Sequence, residues 1–306
     1  MNIKEFSDFE DFIGKNDIKS QLKTFINASK IKNEVLPHIL LYGPAGVGKT
    51  TLAKIVANCL KTKIKIIQAN NLQKISEILN IFSLINKNDI LFIDEIHALD
   101  QKLMEFLFPI MENFSVDIVI GKEFNSKITR MKIPKFTLIG ATTYYGKILN
   151  PLEDRFGIVI NVDYYSIDEL KILIEKITEN LKIKLTNKDI QIIAESSRFV
   201  PRLALRLINS IYDYKLAKPG MKIEEIMKEL NINRFGLTKQ DIKYLKSLFS
   251  NKFLGLKTLC LINDIDPLTI ETKIEPLLLK MNFIKKTHKG RIITDEGKKY
   301  LNHIVE

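Results

Sequence analysis

Residues 43–50 read Gly-Pro-Ala-Gly-Val-Gly-Lys-Thr and follow the apolar run Ile39-Leu40-Leu41-Tyr42. A strand, a glycine-rich turn, Lys-Thr and a helix start make a phosphate-binding loop. Gly43, Gly46 and Gly48 let backbone N–H groups wrap an oligophosphate. The helix opening at Lys49-Thr50-Thr51 adds the positive end of its dipole. Lys49 is expected to reach the β- and γ-phosphates of a nucleoside triphosphate, and the Thr50 hydroxyl to hold Mg²⁺. A second constellation closes the run Ile90-Leu91-Phe92-Ile93 with Asp94-Glu95-Ile96-His97. Asp94 can hold Mg²⁺, directly or through water, and Glu95 can orient and activate an attacking water. An ordinary acidic strand end is the alternative, and the phosphate loop upstream favours catalysis. His97 reads as a packing or hydrogen-bonding residue, because phosphoryl transfer needs no further base here.

Two more positions could complete such a site. The run from Phe136 to Gly140 ends in Ala141-Thr142-Thr143, where the Thr143 hydroxyl could touch a γ-phosphate or polarise the water. Arg155, within Asp154-Arg155-Phe156-Gly157, could form an ion pair inside its own subunit. It could equally act on a neighbour's γ-phosphate and stabilise transition-state charge. Arg202 follows Pro201 at a helix start and could reach back to the nucleotide, although arginine is common there.

These residues need a scaffold. Short apolar runs at 39–42, 64–67, 90–93, 136–140 and 158–162 alternate with helical patterns, beginning with 16–33. That alternation predicts an α/β domain with a parallel sheet covered by helices, and a ligand site at the carboxyl ends of the strands. From about 166 the strands stop, and 167–180, 187–197 and 201–217 read as helices. Ser166 with Glu169 resembles a capping box, and Pro201 suits a helix start. A helix at 223–230 leads to Gly236. Helical patterns at 239–249, 256–262 and 267–281 precede Phe283 to Lys286 and Arg291 to Ile293, which flank the basic tip His288-Lys289-Gly290. Three helices and a hairpin describe a winged helix. The expected domains are thus 1–165, a large ATPase domain; 166–236, a small helical lid; and 237–306, a DNA-binding winged helix.

Composition narrows the class. The 306 residues carry a net charge of +11. Such a balance favours phosphate polymers or acidic surfaces, although the chain is rich in lysine throughout. No apolar leader and no run approaching a membrane span appear, so a cytoplasmic protein without a membrane partner is expected. Cys59 and Cys260 lie far apart in apolar contexts and read as free buried thiols. With four histidines they give no metal-ligand cluster.

Taken together, the chain resembles the AAA+ ATPases, and within them the bacterial motors that migrate Holliday junctions. The resemblance covers nearly the whole sequence. It rests on Asp11-Phe12-Ile13-Gly14, His38 to Pro44, Ile90 to His97, Phe106 to Glu112, Asp117 to Gly121, Phe136 to Thr143, Asn150-Pro151-Leu152 and Asp154 to Gly157. The segments 117–121 and 136–143 are specific to that group, whereas the phosphate loop and the Asp-Glu pair are shared by many ATPases. The resemblance implies a hexameric ring driven by ATP and Mg²⁺ on duplex junction arms, with RuvA as partner and RuvC nearby. It implies that Ile13 borders the adenine, Tyr165 touches the nucleotide, Thr143 is sensor 1 and Arg202 is sensor 2. Arg155 would be a finger into the next subunit, and Glu112, Asn113 and Phe114 would face a neighbour's nucleotide. Residues 114–134 would form the hairpin that docks RuvA through Ile118, Val119, Ile120, Ile128 and Met131; a hairpin packed on its own domain is the plainer alternative. Lys286 and Arg291 would contact DNA phosphates, where two arginines are usual.

The chain also departs from that pattern. No Arg-Pro precedes the adenine segment, Ala45 replaces a usual proline, and Tyr144-Tyr145 replaces Arg-Ala. Glu153 stands where arginine is frequent, so it could pair with Arg155 and either hold or blunt it. Phe199-Val200 replaces Gly-Thr, and a Gly-Gly-Pro lead-in is missing around 251–255. A clamp-loader-like or initiator-like switch that binds DNA without translocating shares the ATP motifs and is the competing reading. The 117–121 segment and the hairpin at 283–293 argue against it.

Overall fold

The computed structural model describes residues 7–120 and 127–305. The chain divides into two compact units: Met1–Asn180 with Val200–Arg202, and Leu181–Phe199 with Leu203–Glu306.

The first unit contains α1 (Asn16–Lys32), β1 (Ile39–Tyr42), α2 (Lys49–Leu60), β2 (Ile64–Gln68), α3 (Ile75–Phe82), β3 (Ile90–Asp94) and α4 (Gln101–Asn113). It continues through β4 (Ser115–Ile120), β5 (Lys127–Lys132), β6 (Thr137–Thr142), α5 (Asn150–Glu153), β7 (Ile158–Asn161) and α6 (Ile167–Asn180). Five strands form a parallel sheet in the order β2-β3-β6-β1-β7. Burial follows that order. The inner strands β3 and β6 are apolar or buried nearly throughout, whereas the edge strand β7 alternates buried and exposed residues. The register aligns Tyr42 with Thr142, Ile93 with Gly140 and Gln68 with Asp94, so the carboxyl ends of four strands finish level. His38 braces the other end of this sheet. Its Nδ1 accepts the Leu138 N–H at 2.9 Å, which leaves Nε2 to donate to the Met111 carbonyl at 3.1 Å. Burial lowers its pKa, consistent with that neutral tautomer.

The capping box at Ser166 and Glu169 forms as expected, with bonds of 2.8 and 3.1 Å. The helix it starts groups with the first unit. Two ion pairs hold α6 there, Lys176 to Asp11 at 3.2 Å and Lys15 to Glu169 at 3.7 Å.

The second unit holds α7 (Asn187–Ser196), the greater part of α8 (Pro201–Ala217), α9 (Ile223–Glu229), α10 (Lys239–Phe249) and α11 (Leu256–Asn263). It ends with α12 (Pro267–Thr269), a π turn at Ile270–Ile274, α13 (Glu275–Lys280), β8 (Ile284–Thr287), β9 (Gly290–Ile293) and α14 (Asp295–Val305). The single helix expected over 267–281 is therefore interrupted. Pro276 has no N–H to give the preceding turn, and the helix widens just before it. Tyr244, Leu245, Leu248, Leu259 and Leu278 form the core beneath the hairpin.

Candidate active site and nucleic-acid interface

The phosphate loop leaves β1 and enters α2 through Gly43, Gly46 and Gly48, all at positive φ. A Cβ on Gly43 would lie 2.2 Å from the Val162 carbonyl, so this turn admits glycine alone. Gly48 caps α2 without any side-chain bond, so no side chain competes for the first N–H groups of the helix. That arrangement fits an oligophosphate. Lys49 is buried, and its Nζ donates to the carbonyls of Gly43 and Pro44 at 2.7 and 2.9 Å. Burial lowers its pKa, and the charges of Glu95 and Asp94 oppose that shift. Thr50 and Thr51 follow in the first turn of α2. The hard oxygen donors of Thr50 and Asp94 are the chemistry Mg²⁺ prefers.

Asp94 and Glu95 stand at the end of β3. Asp94 accepts from Gln68 Nε2 at 3.1 Å and from the Glu95 N–H at 3.1 Å. Glu95 adopts a left-handed φ of 51°, which turns it off the strand axis. Its Oε2 accepts both the backbone N–H and the hydroxyl of Thr143, at 3.0 and 2.9 Å. His97 Nδ1 lies 3.2 Å from the same oxygen and 3.0 Å from the Thr142 hydroxyl. Level strand ends thus bring Glu95 and Thr143 together. They also bring Gln68 into the site, which its sequence position did not specify, and give His97 hydrogen-bonding partners in it.

Arg155 lies just beyond α5. Its Nη2 pairs with Glu112 at 3.0 Å, its guanidinium sits 4.3 Å over the Phe108 ring, and Nη1 donates to the Pro151 carbonyl. Glu153 does not make the pair with Arg155 that the sequence left open. Its Oε1 accepts the hydroxyl of Tyr145 instead. Of the segment meant to face a neighbour, Glu112 and Asn113 are exposed. The Phe114 ring is not directed outward: it packs edge-on against His38 and Phe136, because a left-handed turn ends α4 there.

Arg202 is brought to the phosphate loop, its N–H donating to the Gly46 carbonyl at 3.3 Å. A Cβ on Gly46 would meet the side chains of Arg202 and Val200 at 2.9 Å, so the two segments need a glycine to approach. Ile13 is half-buried between Phe12, whose ring lies against Gly48, and Gly14. Tyr165 is buried beneath Lys15, whose Nζ lies 4.6 Å above its ring and donates to the Tyr164 carbonyl at 2.7 Å. Lys15 gave no signal in the sequence, since its partners are some 150 residues away.

β4 and β5 form an antiparallel hairpin clasped by a bidentate Asp117–Arg130 pair at 2.8 and 3.0 Å. Ile118 and Met131 are not free docking side chains. They pack against the core of their own unit, since the hairpin face that carries Val116 and Ile118 turns inward. Ile128 is 70% exposed, and the side chains of Val119 and Ile120 lie outside the described residues.

The hairpin β8–β9 also revises an expectation. Its register pairs Lys286 with Arg291 on the same face as Ile284 and Ile293, the face turned to the core. There both close on Glu275, which has no exposed surface. Lys286 Nζ lies 2.5 Å from its Oε2, and Arg291 Nε donates to its Oε1 at 2.8 Å. Tyr244 adds a bond of 2.8 Å, and Arg291 reaches Glu271 at 3.2 Å. Both cations are thus ion-paired within the fold: Arg291 is largely covered, whereas Lys286 remains exposed. Lys285 and Lys289 are exposed and make no ion pair among the described residues.

Comparison with known proteins places this geometry. Residues 5–162 match the Holliday junction DNA helicase RuvB P-loop domain. Residues 165–237 match the RuvB AAA lid domain, and 234–302 the RuvB C-terminal winged helix domain. The chain is 48% identical over 302 residues to the Holliday junction branch migration complex subunit RuvB of Mycoplasma genitalium, with 98% of each chain covered. Its Mycoplasma pneumoniae counterpart is 45% identical, again with 98% of each covered. Among solved structures, the Thermotoga maritima RuvB Holliday junction branch migration motor is 33% identical, with a TM-score of 0.83 and 97% and 98% of the two chains covered.

Proposed function

The chain belongs to the RuvB family, and on that premise we propose that it is the ATP-driven motor that migrates Holliday junctions during recombination and repair. It is an AAA+ P-loop ATPase with a lid and a winged helix. The finer reading is a homo-hexameric cytoplasmic ring that works with RuvA, hands junctions to RuvC and pulls on duplex arms. We take its domains as 1–165, 166–236 and 237–306.

The residues carry distinct tasks. The loop amides and Lys49 bind and neutralise the phosphates, and Arg202 lies against the same loop. Thr50 and Asp94 would hold Mg²⁺, which supplies charge neutralisation at the β- and γ-oxygens. Glu95 accepts a proton from the attacking water and aims it, and Thr143 and His97 set the carboxylate for that task. Arg155 supports a shared site. Glu112 and Phe108 hold it in a cluster separate from the bonds around Glu95, which supports one subunit holding half of the machinery. Ile13 and Tyr165 border the base. Ile128 is the docking contact we assign to the RuvA hairpin.

The observation that carries this reading is that Glu95 and Arg155 belong to separate bonded clusters. Complementation tests it. Glu95→Gln subunits and Arg155→Ala subunits should each lose turnover, by roughly 10²–10⁴-fold and 10³–10⁵-fold respectively. Mixed together they should recover ATPase activity, because an intact finger then meets an intact site. A mixture as inactive as its components would sink the shared site.

A further inference from the structure

We propose that Tyr145 is a positioning residue for the finger: by holding Glu153 it keeps that carboxylate off Arg155, so that Arg155 stays available to a neighbouring subunit. The inference rests on the reading of Arg155 as a finger given above.

The bonds around Tyr145 lead to this role. Tyr145 opens the short 3-10 turn Tyr145–Lys147, two residues beyond Thr143. Its ring stacks on Tyr42 at 4.1 Å and 16°, and Tyr42 is the last residue of β1 before the phosphate loop. Its hydroxyl donates to Oε1 of Glu153, the last residue of α5. The turn that carries Arg155 is built on the same residue, since the Glu153 carbonyl accepts the Phe156 N–H at 2.9 Å. Glu112 already pairs with the guanidinium; a second carboxylate two residues away and a γ-phosphate are the further claimants. The phenol decides between them by occupying the carboxylate.

The hydrogen bond to Glu153 pushes the phenol pKa up to about 12, so Tyr145 remains a donor across the physiological range. Stacking on Tyr42 fixes where that donor sits. The same side chain therefore touches the strand before the phosphate loop, follows the strand end that holds Glu95, and fixes the finger-bearing turn. Movement at a subunit's own nucleotide would be felt at its finger.

Mixed rings separate this role from a structural one. The reference mixture joins Glu95→Gln subunits, which keep their fingers, with Arg155→Ala subunits, which keep their sites. Placing Tyr145→Phe in the finger-bearing Glu95→Gln subunits should lower kcat roughly tenfold, the scale of one hydrogen bond to a charged group. KM for ATP should not change. Placing it in the Arg155→Ala subunits should leave turnover as in the reference. Adding Glu153→Gln to the Tyr145→Phe, Glu95→Gln subunits should restore kcat, because the competing charge is gone. Tyr145→Phe keeps the ring that stacks on Tyr42, so the fold is retained. Equal loss in both placements, no loss in either, or failure of Glu153→Gln to rescue would each overturn the proposal. An inactive reference mixture would instead remove the finger reading and this inference with it.

Discussion

Glu275 is fully buried, yet three donors, from Lys286, Arg291 and Tyr244, keep it charged. Burial alone would raise its pKa, but bonds from Arg291, Lys286 and Tyr244 outweigh burial and hold it below the usual carboxylate value. A depressed folded pKa means the unfolded chain binds the proton more readily. The stability gained is present above the unfolded value of about 4.3 and is lost as pH falls through the lower folded value. Hydrogen-exchange protection factors at Leu245 and Leu278 should therefore fall on acidification below about pH 4.3, and a Glu275→Gln variant should show a flatter dependence. An identical acid response in the two would refute the assignment. The contrast with Lys49 shows what a sequence reveals at this scale. Lys49, Thr50, Asp94 and Glu95 could be proposed from the sequence because the chemistry expected of them is encoded within a few neighbouring positions. The roles of Glu275 and Glu153 were not, because each depends on which distant donor, Arg291 or Tyr145, the fold sets beside it.

Elements were more legible than their faces. Apolar runs located the five parallel strands, and the change of period near 166 located the helices. Facing within the two hairpins was harder, since a two-residue period leaves either side available until the register is known. At β4–β5 the register gave Ile118 and Met131 to the core. At β8–β9 it set Lys286 and Arg291 on the face that reaches Glu275 and left Lys285 on the other face and Lys289 at the tip. DNA affinity should follow that division. Lys285→Ala with Lys289→Ala should weaken duplex binding and reduce the slope of log K against log salt by up to about 2, near 0.9 per phosphate contact. Thermal stability should be unchanged, because neither lysine is bonded into the fold. An unaltered salt slope would place the phosphate contacts elsewhere.

At the scale of the whole molecule, one chain holds a phosphate loop, a carboxylate at Glu95 bonded to Thr143, and an arginine at Arg155 paired with Glu112. Its net charge of +11 favours attraction to DNA. No helix among the described residues is long and apolar enough to cross a membrane. The chain matches RuvB family models along most of its length, and one departure from the motor pattern, Glu153, has a local partner. Tyr145 occupies Glu153, and Glu112 with Phe108 presents Arg155. Such a molecule should convert ATP into strand movement once fingers and sites are assembled. The most direct measurement is migration of a synthetic four-way junction by the intact chain with RuvA, followed through release of duplex products. With ATP the products should accumulate, and they should be absent with a non-hydrolysable analogue or with Glu95→Gln rings that still bind ATP. DNA-stimulated hydrolysis without any release of products would contradict the motor and leave a nucleotide-gated switch.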